Sequence, residues 1–307
     1  MGNRDDGIVL IDKEEGESSF AEVKKVRSIL KVKKVGHAGT LDPFATGLLV
    51  VLLGQGTKLA PYIMAGEKEY LATFRLGVET DTLDPTGRIV ETRPVPSLDP
   101  EYIREKAHGF IGDIEQVPPI FSAVKYQGRR AYQLAREGIK VELKKRRATI
   151  HRLEILSVDL PDVSMVVACS RGTYIRSLAA DLGKALGTGA HLRSLRRLSS
   201  GSFTVKEALR LREIGPLSPD TVLRQKVVPL RDALPQVSEA EVDSLTARMI
   251  RNGYQPSWKE LQPESDLPES FEGDMKAVMG SDLVALLRVG WDLRTGHGWS
   301  RVTRVFQ

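Results

Sequence analysis

The chain has 307 residues, with 45 Lys and Arg against 40 Asp and Glu for a formal net charge of +5, and is 41% hydrophobic and 28% charged. That balance excludes a wholly disordered chain; the longest apolar run, Leu48 to Leu53, falls far short of the ~20 residues of a membrane span; and a single cysteine, Cys169, excludes an intramolecular disulfide and a Cys-based zinc cluster. With no long apolar leader at the start and five scattered histidines (His37, His108, His151, His191, His297) lacking metal-ligand spacing, the composition reads as a cytoplasmic protein that needs neither metal nor cofactor.

Gly7 to Asp12 reads as a buried strand. Ser18 and Ser19 are candidate helix caps, with Glu22 placed to close a capping box from Ser19, and Phe20, Val23, Val26, Ile29 and Leu30 follow at helical spacing. Lys33 to Pro43 is glycine-punctuated loop, Leu48 to Leu53 a buried strand, and Thr57 to Met64 a helix. Glu69 to Gly77 alternates as a strand, with Arg88 to Thr92 as its expected pairing partner. Asp99, Pro100 and Glu101 open a helix as cap, first position and acidic first turn. Ala148 to Leu160 and Ser164 to Cys169 form two strands across Pro161, and Gly172 to Leu186 forms a helix ended by Gly187 and Gly189. Strands and helices mix without regular β-α-β alternation, which predicts an α+β fold. Prolines accumulate between Gly215 and Pro235 and mark a boundary. Beyond it, Val237 to Asn252 reads as one helix, and Leu283 to Arg288 and Trp299 to Phe306 as strands of a small, mostly β module.

The segment from Gly36 to Gly47 (GHAGTLDPFATG) is the most unusual. Its three glycines let backbone approach a ligand, and it carries one His and one carboxylate, His37 and Asp42. It lacks the Lys-Ser/Thr ending and following helix of a phosphate-cradling loop. Thr-Leu-Asp-Pro recurs around Asp84, so local sequence does not choose between Asp42 and Asp84. A carboxylate pair would suit glycoside hydrolysis, but Asp-Pro is also a common turn. Tyr70 heads a strand and reads on its own as a half-buried aromatic. Arg176, at the first turn of its helix, is placed to meet a carboxylate from another loop, although a lone Arg there is more often a surface residue. Cys169 reads as a small core residue.

The +5 is unevenly spread. From Val124 to Arg152 ten basic residues (Lys125, Arg129, Arg130, Arg136, Lys140, Lys144, Lys145, Arg146, Arg147, Arg152) face only Glu137 and Glu142, a local charge of +8. Further clusters are Lys24, Lys25, Arg27, Lys31, Lys33 and Lys34, and Arg193, Arg196, Arg197, Lys206, Arg210 and Arg212. The sign reverses at Glu260, Glu264, Asp266, Glu269, Glu272 and Asp274. Three basic clusters point to a nucleic-acid partner, although each alone fits a solvated face.

Together these segments resemble the tRNA pseudouridine synthases of the uridine-55 (TruB) family. The landmarks are GIVLIDK, GHAGTLDPFATGLL, KEYLATFRLG, DTLDPTG, PPIFSAVKYQGRRAYQLAREG, CSRGTYIRSLAADLG and GAHLRSLRRLSSG, spread over residues 7 to 215. The resemblance implies a mixed, largely antiparallel central sheet with flanking helices over residues 1–230, and a PUA-like RNA-binding module over 231–307. It implies isomerisation of a T-arm uridine of tRNA to pseudouridine, with no membrane and no obligate protein partner. Asp42 matches the family's catalytic aspartate, Tyr70 the tyrosine that packs on the target base, and Arg176 the arginine paired with the carboxylate. His37, Lys13, Asp84, Tyr174 and Leu195 match further substrate or RNA positions, and Lys144, Lys145, Arg146 and Arg147 are the expected phosphate contact. One departure is Glu14-Glu15 after Lys13, where the family usually has a proline, so altered loop geometry is expected there. An RNA-binding module with dispensable chemistry is the alternative class, and the presence of Asp42, Tyr70 and Arg176 together favours the enzyme. Three Trp and the basic balance disfavour the glycoside hydrolase.

Overall fold

The computed structural model describes residues 5–122, 124–139, 141–261, 272–292 and 297–307. Of the basic and acidic runs, Lys140, Glu264, Asp266 and Glu269 lie outside the described residues, as does the side chain of Arg136.

The main sheet has ten strands; its seven principal ones are β1 (Gly7–Lys13), β2 (Thr46–Leu53), β3 (Lys68–Leu76), β4 (Gly112–Gln116), β5 (Arg146–Asp159), β6 (Asp162–Cys169) and β7 (Ala190–Ser200), and the short strands Val35–His37, Phe203–Thr204 and Val227–Val228 pair with β2, β7 and β1. The spatial order of the principal strands is β1-β2-β7-β3-β6-β5-β4, with Val227–Val228 beyond β1. Neighbours run antiparallel, except that β7 meets β2 in parallel over two pairs, Arg196 with Thr46 and Arg197 with Gly47. That narrow joint welds two half-sheets of different character. β1 is buried at every position and β2 at all but its first, as expected of apolar runs covered on both faces. β6 alternates buried and half-buried residues, as a strand with one covered face should.

Five helices matter for the site and core: α1 (Ser19–Leu30), α2 (Ala60–Ala65), α3 (Pro100–His108), α4 (Ala131–Arg136) and α5 (Ile175–Ala185). α1 lays Val23, Val26 and Leu30 on Val9, Ile11, Leu49 and Val51. On the other half-sheet, α5 buries Ile175, Leu178, Ala179 and Leu182 against Phe74, Met165, Val167 and Leu192, joined by Ile103 and Ala107 of α3. Cys169 belongs to this core.

The C-terminal module is a four-stranded sheet, β8 (Ser238–Glu241), β9 (Gly273–Met279), β10 (Asp282–Asp292) and β11 (His297–Val305), in that spatial order. Its Val278, Leu283, Leu286 and Phe306 share one cluster with Ile8, Leu10, Leu48, Val50, Leu52, Leu59 and Ile63 of the main sheet's flank. Tyr62 Oη and Thr303 Oγ1 meet at 2.9 Å, and Lys58 Nζ donates to Val305 O at 2.6 Å, so polar contacts ring the shared core.

Five local expectations change. Lys33 to Pro43 is not all loop: Val35–His37 forms a short strand antiparallel to Val51–Leu53 of β2, whose apolar run offers it a free edge. Val237 to Asn252 is not one helix: β8 is followed by a helix over Ser244–Arg251, because Ser238–Glu241 finds a parallel partner in β9 and Asp243 caps the helix, accepting from Thr246 N at 2.7 Å. Ile89–Thr92 pairs with Val78–Thr80 and not with β3, whose two edges are already occupied by β6 and β7. Thr57 to Met64 divides between a 3-10 turn over Gly54–Leu59 and α2. The cap of α1 is Ser18, accepting from Ala21 N at 3.1 Å, which leaves Ser19 for another use.

Phe306 is 1% exposed inside the cluster shared by both sheets. Its truncation to Ala should cost about 3–5 kcal/mol, read as a lower midpoint in denaturant or thermal unfolding.

Candidate active site

The loop between Ala38 and Gly47 is fixed from behind by buried groups. Lys13, at the end of β1, is 0% exposed, and its ammonium donates to Glu14 O (2.9 Å), Pro43 O (3.0 Å) and Ala45 O (2.7 Å). All three of its protons are thus used on backbone, and burial holds its pKa below the ordinary lysine value. Ser19 accepts from Leu41 N (2.8 Å) and donates to Leu41 O (2.9 Å), pinning the residue before Asp42. Within the loop, Asp42 O accepts from Ala45 N at 3.0 Å, the turn expected of Asp-Pro. Gly47 has φ +95°, and a Cβ there would lie 2.3 Å from Arg197 O, so the parallel joint requires glycine.

Arg176, 6% exposed at the start of α5, reaches into this loop. Its Nε lies 3.1 Å from Asp42 Oδ2 and its Nη2 donates to Asp42 Oδ1 at 3.4 Å. Nη1 donates to Asp84 Oδ2 (3.1 Å) and Thr82 O (3.2 Å), and Nη2 also to Phe121 O (3.0 Å). Asp84 is itself saturated: Oδ1 accepts from Thr82 Oγ1 (2.7 Å), Thr86 N (3.0 Å) and Thr86 Oγ1 (2.6 Å). The two Asp-Pro carboxylates therefore differ in kind. Asp84 is an anchor, buried and fully bonded. Asp42 keeps 34% of its side chain exposed, facing a cavity. An acid/base pair flanking a sugar is inconsistent with this, because Asp84 has no oxygen left to act.

Burial pushes the Asp42 carboxyl above the ordinary aspartate value, opposed by Arg176 and Lys13 and assisted by the like charge of Asp84. Asp42 sits at the junction of two adjoining cavities. The first, of about 620 Å³, is lined by Asp42, Tyr70, Tyr174, Arg176, Leu195 and Arg197, with Lys68 also on its wall. Burial raises the Tyr70 phenol, while Arg197 beside it pulls the other way. The second cavity, of about 580 Å³, has His37, Phe20 and Tyr132 among its lining. Burial and then the charge of Arg197 lower the His37 pKa, which favours the neutral ring, and among the described residues its buried Nδ1 has no partner.

The structure brings Asp42, Tyr70, Arg176, Asp84, Tyr174, Leu195 and His37 to these two cavities. Lys13 lines neither and acts behind the loop. Of the basic patch, Arg146 and Arg147 line the rim of the first cavity with Arg171, whereas Lys144 and Lys145 are exposed beyond it. The basic residues around α1 are largely exposed, but the 193–212 cluster is partly neutralised: Arg196 forms a two-pronged pair with Asp12 (2.9 and 2.9 Å) and Arg193 pairs with Asp162.

Several contributors carried no sequence signal. Gln116, 1% exposed, accepts from Tyr174 N (3.0 Å) and so sets the start of α5. Lys68 lines the cleft, its ammonium bonded to Met64 O and Gly66 O and brought down by burial to about 8. Arg197 was indistinguishable from its exposed basic neighbours, yet it is 1% exposed. Among the described residues no cluster of His, Cys, Asp or Glu is placed to hold a metal, and no helix is long and apolar enough to cross a membrane.

Known proteins share both the sequence and the fold around this site. Residues 27–175 match the family model described as TruB family pseudouridylate synthase (N terminal domain), and residues 176–235 match that of the tRNA pseudouridylate synthase B C-terminal domain. A tRNA pseudouridine synthase B of Syntrophus aciditrophicus is 43% identical over 285 residues, covering 92% of this chain and 91% of that protein. One of Clostridium kluyveri is 45% identical over 273 residues, covering 89% and 91%. Among solved structures, a chain of a Cbf5-Nop10-Gar1 complex superposes with a TM-score of 0.74 at 24% identity, over 99% of this chain and 86% of that one, a likeness of fold.

Because burial outweighs Arg176 at Asp42, its carboxyl should titrate above the ordinary aspartate range. Arg176→Lys, which cannot make the two-pronged pairing, should raise it further; carbon-13 NMR titration of labelled Asp42 reads both shifts.

Proposed function

The chain belongs to the TruB family of pseudouridylate synthases and makes pseudouridine in tRNA, and from that premise we propose that its target is the uridine at position 55 in the T-arm loop, with Asp42 as the catalytic carboxylate. The observation that carries this reading is the Arg176–Asp42 pairing at 3.1 Å on the floor of a cleft that also holds Tyr70.

The isomerisation breaks the N1–C1′ bond, turns the detached base and rejoins it through C5. Asp42 acts on the ribose in its ionised form, as nucleophile at C1′ or as base at C2′. Arg176 keeps that form accessible at neutral pH and fixes its direction. The direction of the Asp42 shift sets the pH dependence: the active carboxylate is lost as pH falls through the raised value, so activity fails on the acid side earlier than for an ordinary aspartate.

A stacked uridine hides its glycosidic bond, so the base must be extruded, at a cost of a few kcal/mol. Stacking on Tyr70 returns roughly 1–3 kcal/mol. Leu195 and Tyr174 complete the walls, and neutral His37, in the neighbouring cavity, braces the region the base vacates. Arg146 and Arg147 at the rim, with Lys144 and Lys145 outside, hold phosphates of the folded arm; these contacts position the RNA without reading sequence. Residues 1–230 form the catalytic domain in this reading, and 231–307 a PUA-like RNA-binding module seated on its flank.

Asp42→Asn should abolish tritium release from tRNA labelled at uridine C5 while tRNA affinity holds; full turnover by that variant overturns the assignment, and mapping the wild-type product tests position 55. Charge reversal at Lys144, Lys145, Arg146 and Arg147 should weaken tRNA binding and flatten its salt dependence, the logarithmic slope falling by roughly one for each phosphate no longer neutralised. An unchanged slope removes the patch from the interface.

A further inference from the structure

Arg197 stands in β7 with 1% of its surface exposed, among the largest fully buried side chains. Its Nε donates to Leu48 O at 2.6 Å and its Nη2 to Gly39 O at 3.1 Å, two carbonyls on opposite sides of Asp42 in the chain. Its backbone faces Gly47 across the parallel joint. Across its other edge it is the register partner of Tyr70. One residue therefore touches the Asp42 loop at Gly39, Gly47 and Leu48 and pairs with the strand position that carries the tyrosine.

The charge state is equally unusual. Arg176 lies between two carboxylates and Arg196 against Asp12, but among the described residues no carboxylate pairs with Arg197. The carbonyls of Leu48 and Gly39 take two of its N–H donors without cancelling its charge. A buried cation without a counter-ion is costly to keep, and its field falls on the cleft wall it shares with Tyr70 and Lys68. It adds to the lowering that burial imposes on His37 and Lys68, and at Tyr70 it opposes the effect of burial.

We propose that Arg197 is a positioning residue for the isomerisation: it locks the Asp42 loop to the Tyr70 strand and turns its uncompensated charge on the Tyr70 phenol. The inference rests on the reading of Asp42 and Tyr70 given above. Isomerisation removes a proton from C5 and adds one at N1. The C5–H electron pair re-forms the C5–C6 double bond, and the pair returned to N1 takes up a proton. A phenol that relays protons in this step passes through its phenolate, and a fixed, buried cation stabilises that anion far better than water-screened charge does.

The test uses Arg197→Gln, Arg197→Lys and Tyr70→Phe with the double variants, in single-turnover assays on unmodified tRNA. Arg197→Gln should lower the chemical rate about a hundredfold, with tRNA affinity within about twofold of wild type, and Arg197→Lys should recover part of that loss by restoring charge. In the Tyr70→Phe background the part of the loss that Arg197→Lys recovers should vanish, leaving Arg197→Gln and Arg197→Lys at one rate, because that part acts through the phenol. Should Arg197→Gln fail to fold, Arg197→Lys alone carries the comparison. Wild-type turnover by Arg197→Lys, or losses that multiply in full with that of Tyr70→Phe, overturn the inference. An active Asp42→Asn would instead overturn the reading beneath it, so the two failures are distinct.

Discussion

Everything at this site depends on one guanidinium held between two carboxylates. Arg176 is fixed by Asp84, which is fixed in turn by Thr82 and Thr86, and only then presented to Asp42. The asymmetry matters. If both carboxylates were equally free, the arginine would have two equivalent positions. Saturating Asp84 leaves one, and the partly exposed oxygens of Asp42 inherit a defined direction and a nearby positive charge. Burial favours the protonated form of this carboxyl, and Arg176 opposes it.

The loop carrying Asp42 is held by buried cations that bond its backbone. Lys13 uses all three protons on carbonyls of this loop and of Glu14, and Arg197 bonds the chain on both sides of the aspartate. A loop rich in glycine has much backbone freedom to lose, and buried charge-assisted hydrogen bonds to carbonyls supply the restraint without adding bulk inside the cleft. At Glu14-Glu15, Glu14 offers its backbone oxygen to Lys13, a contact independent of side-chain identity.

The C-terminal sheet is joined to this machinery through its core and not only through a linker. Phe306, Leu283 and Leu286 pack with residues from β1 and β2, the same strands whose ends carry Lys13 and the Asp42 loop. A module so seated keeps a fixed bearing on the cleft.

The sequence by itself determined the elements whose pattern is local. These are the apolar runs of β1 and β2, the capped helices α1 and α3, the loop built on Asp-Pro, and, through its ordered motifs, the family and the candidates Asp42, Tyr70 and Arg176, which the fold gathers at one cavity. What it left open were matters of pairing. The motif around Asp84 copies that around Asp42, and only the fold shows which carboxylate is buried under hydrogen bonds and which keeps exposed oxygens. Ser238–Glu241 lay in an apparently helical stretch until β9 offered it a strand partner, and Ile89–Thr92 was excluded from β3 because both edges of β3 were filled. Arg146, Arg196 and Arg197 look alike in a charge count, yet one rims the cleft, one pairs with Asp12 and one is buried beneath Tyr70's strand pairing. Charge and hydrogen-bonding capacity belong to a residue type, but burial and partner are set by residues far away in the chain, and those alone decide whether a cation meets RNA, a carboxylate or the backbone.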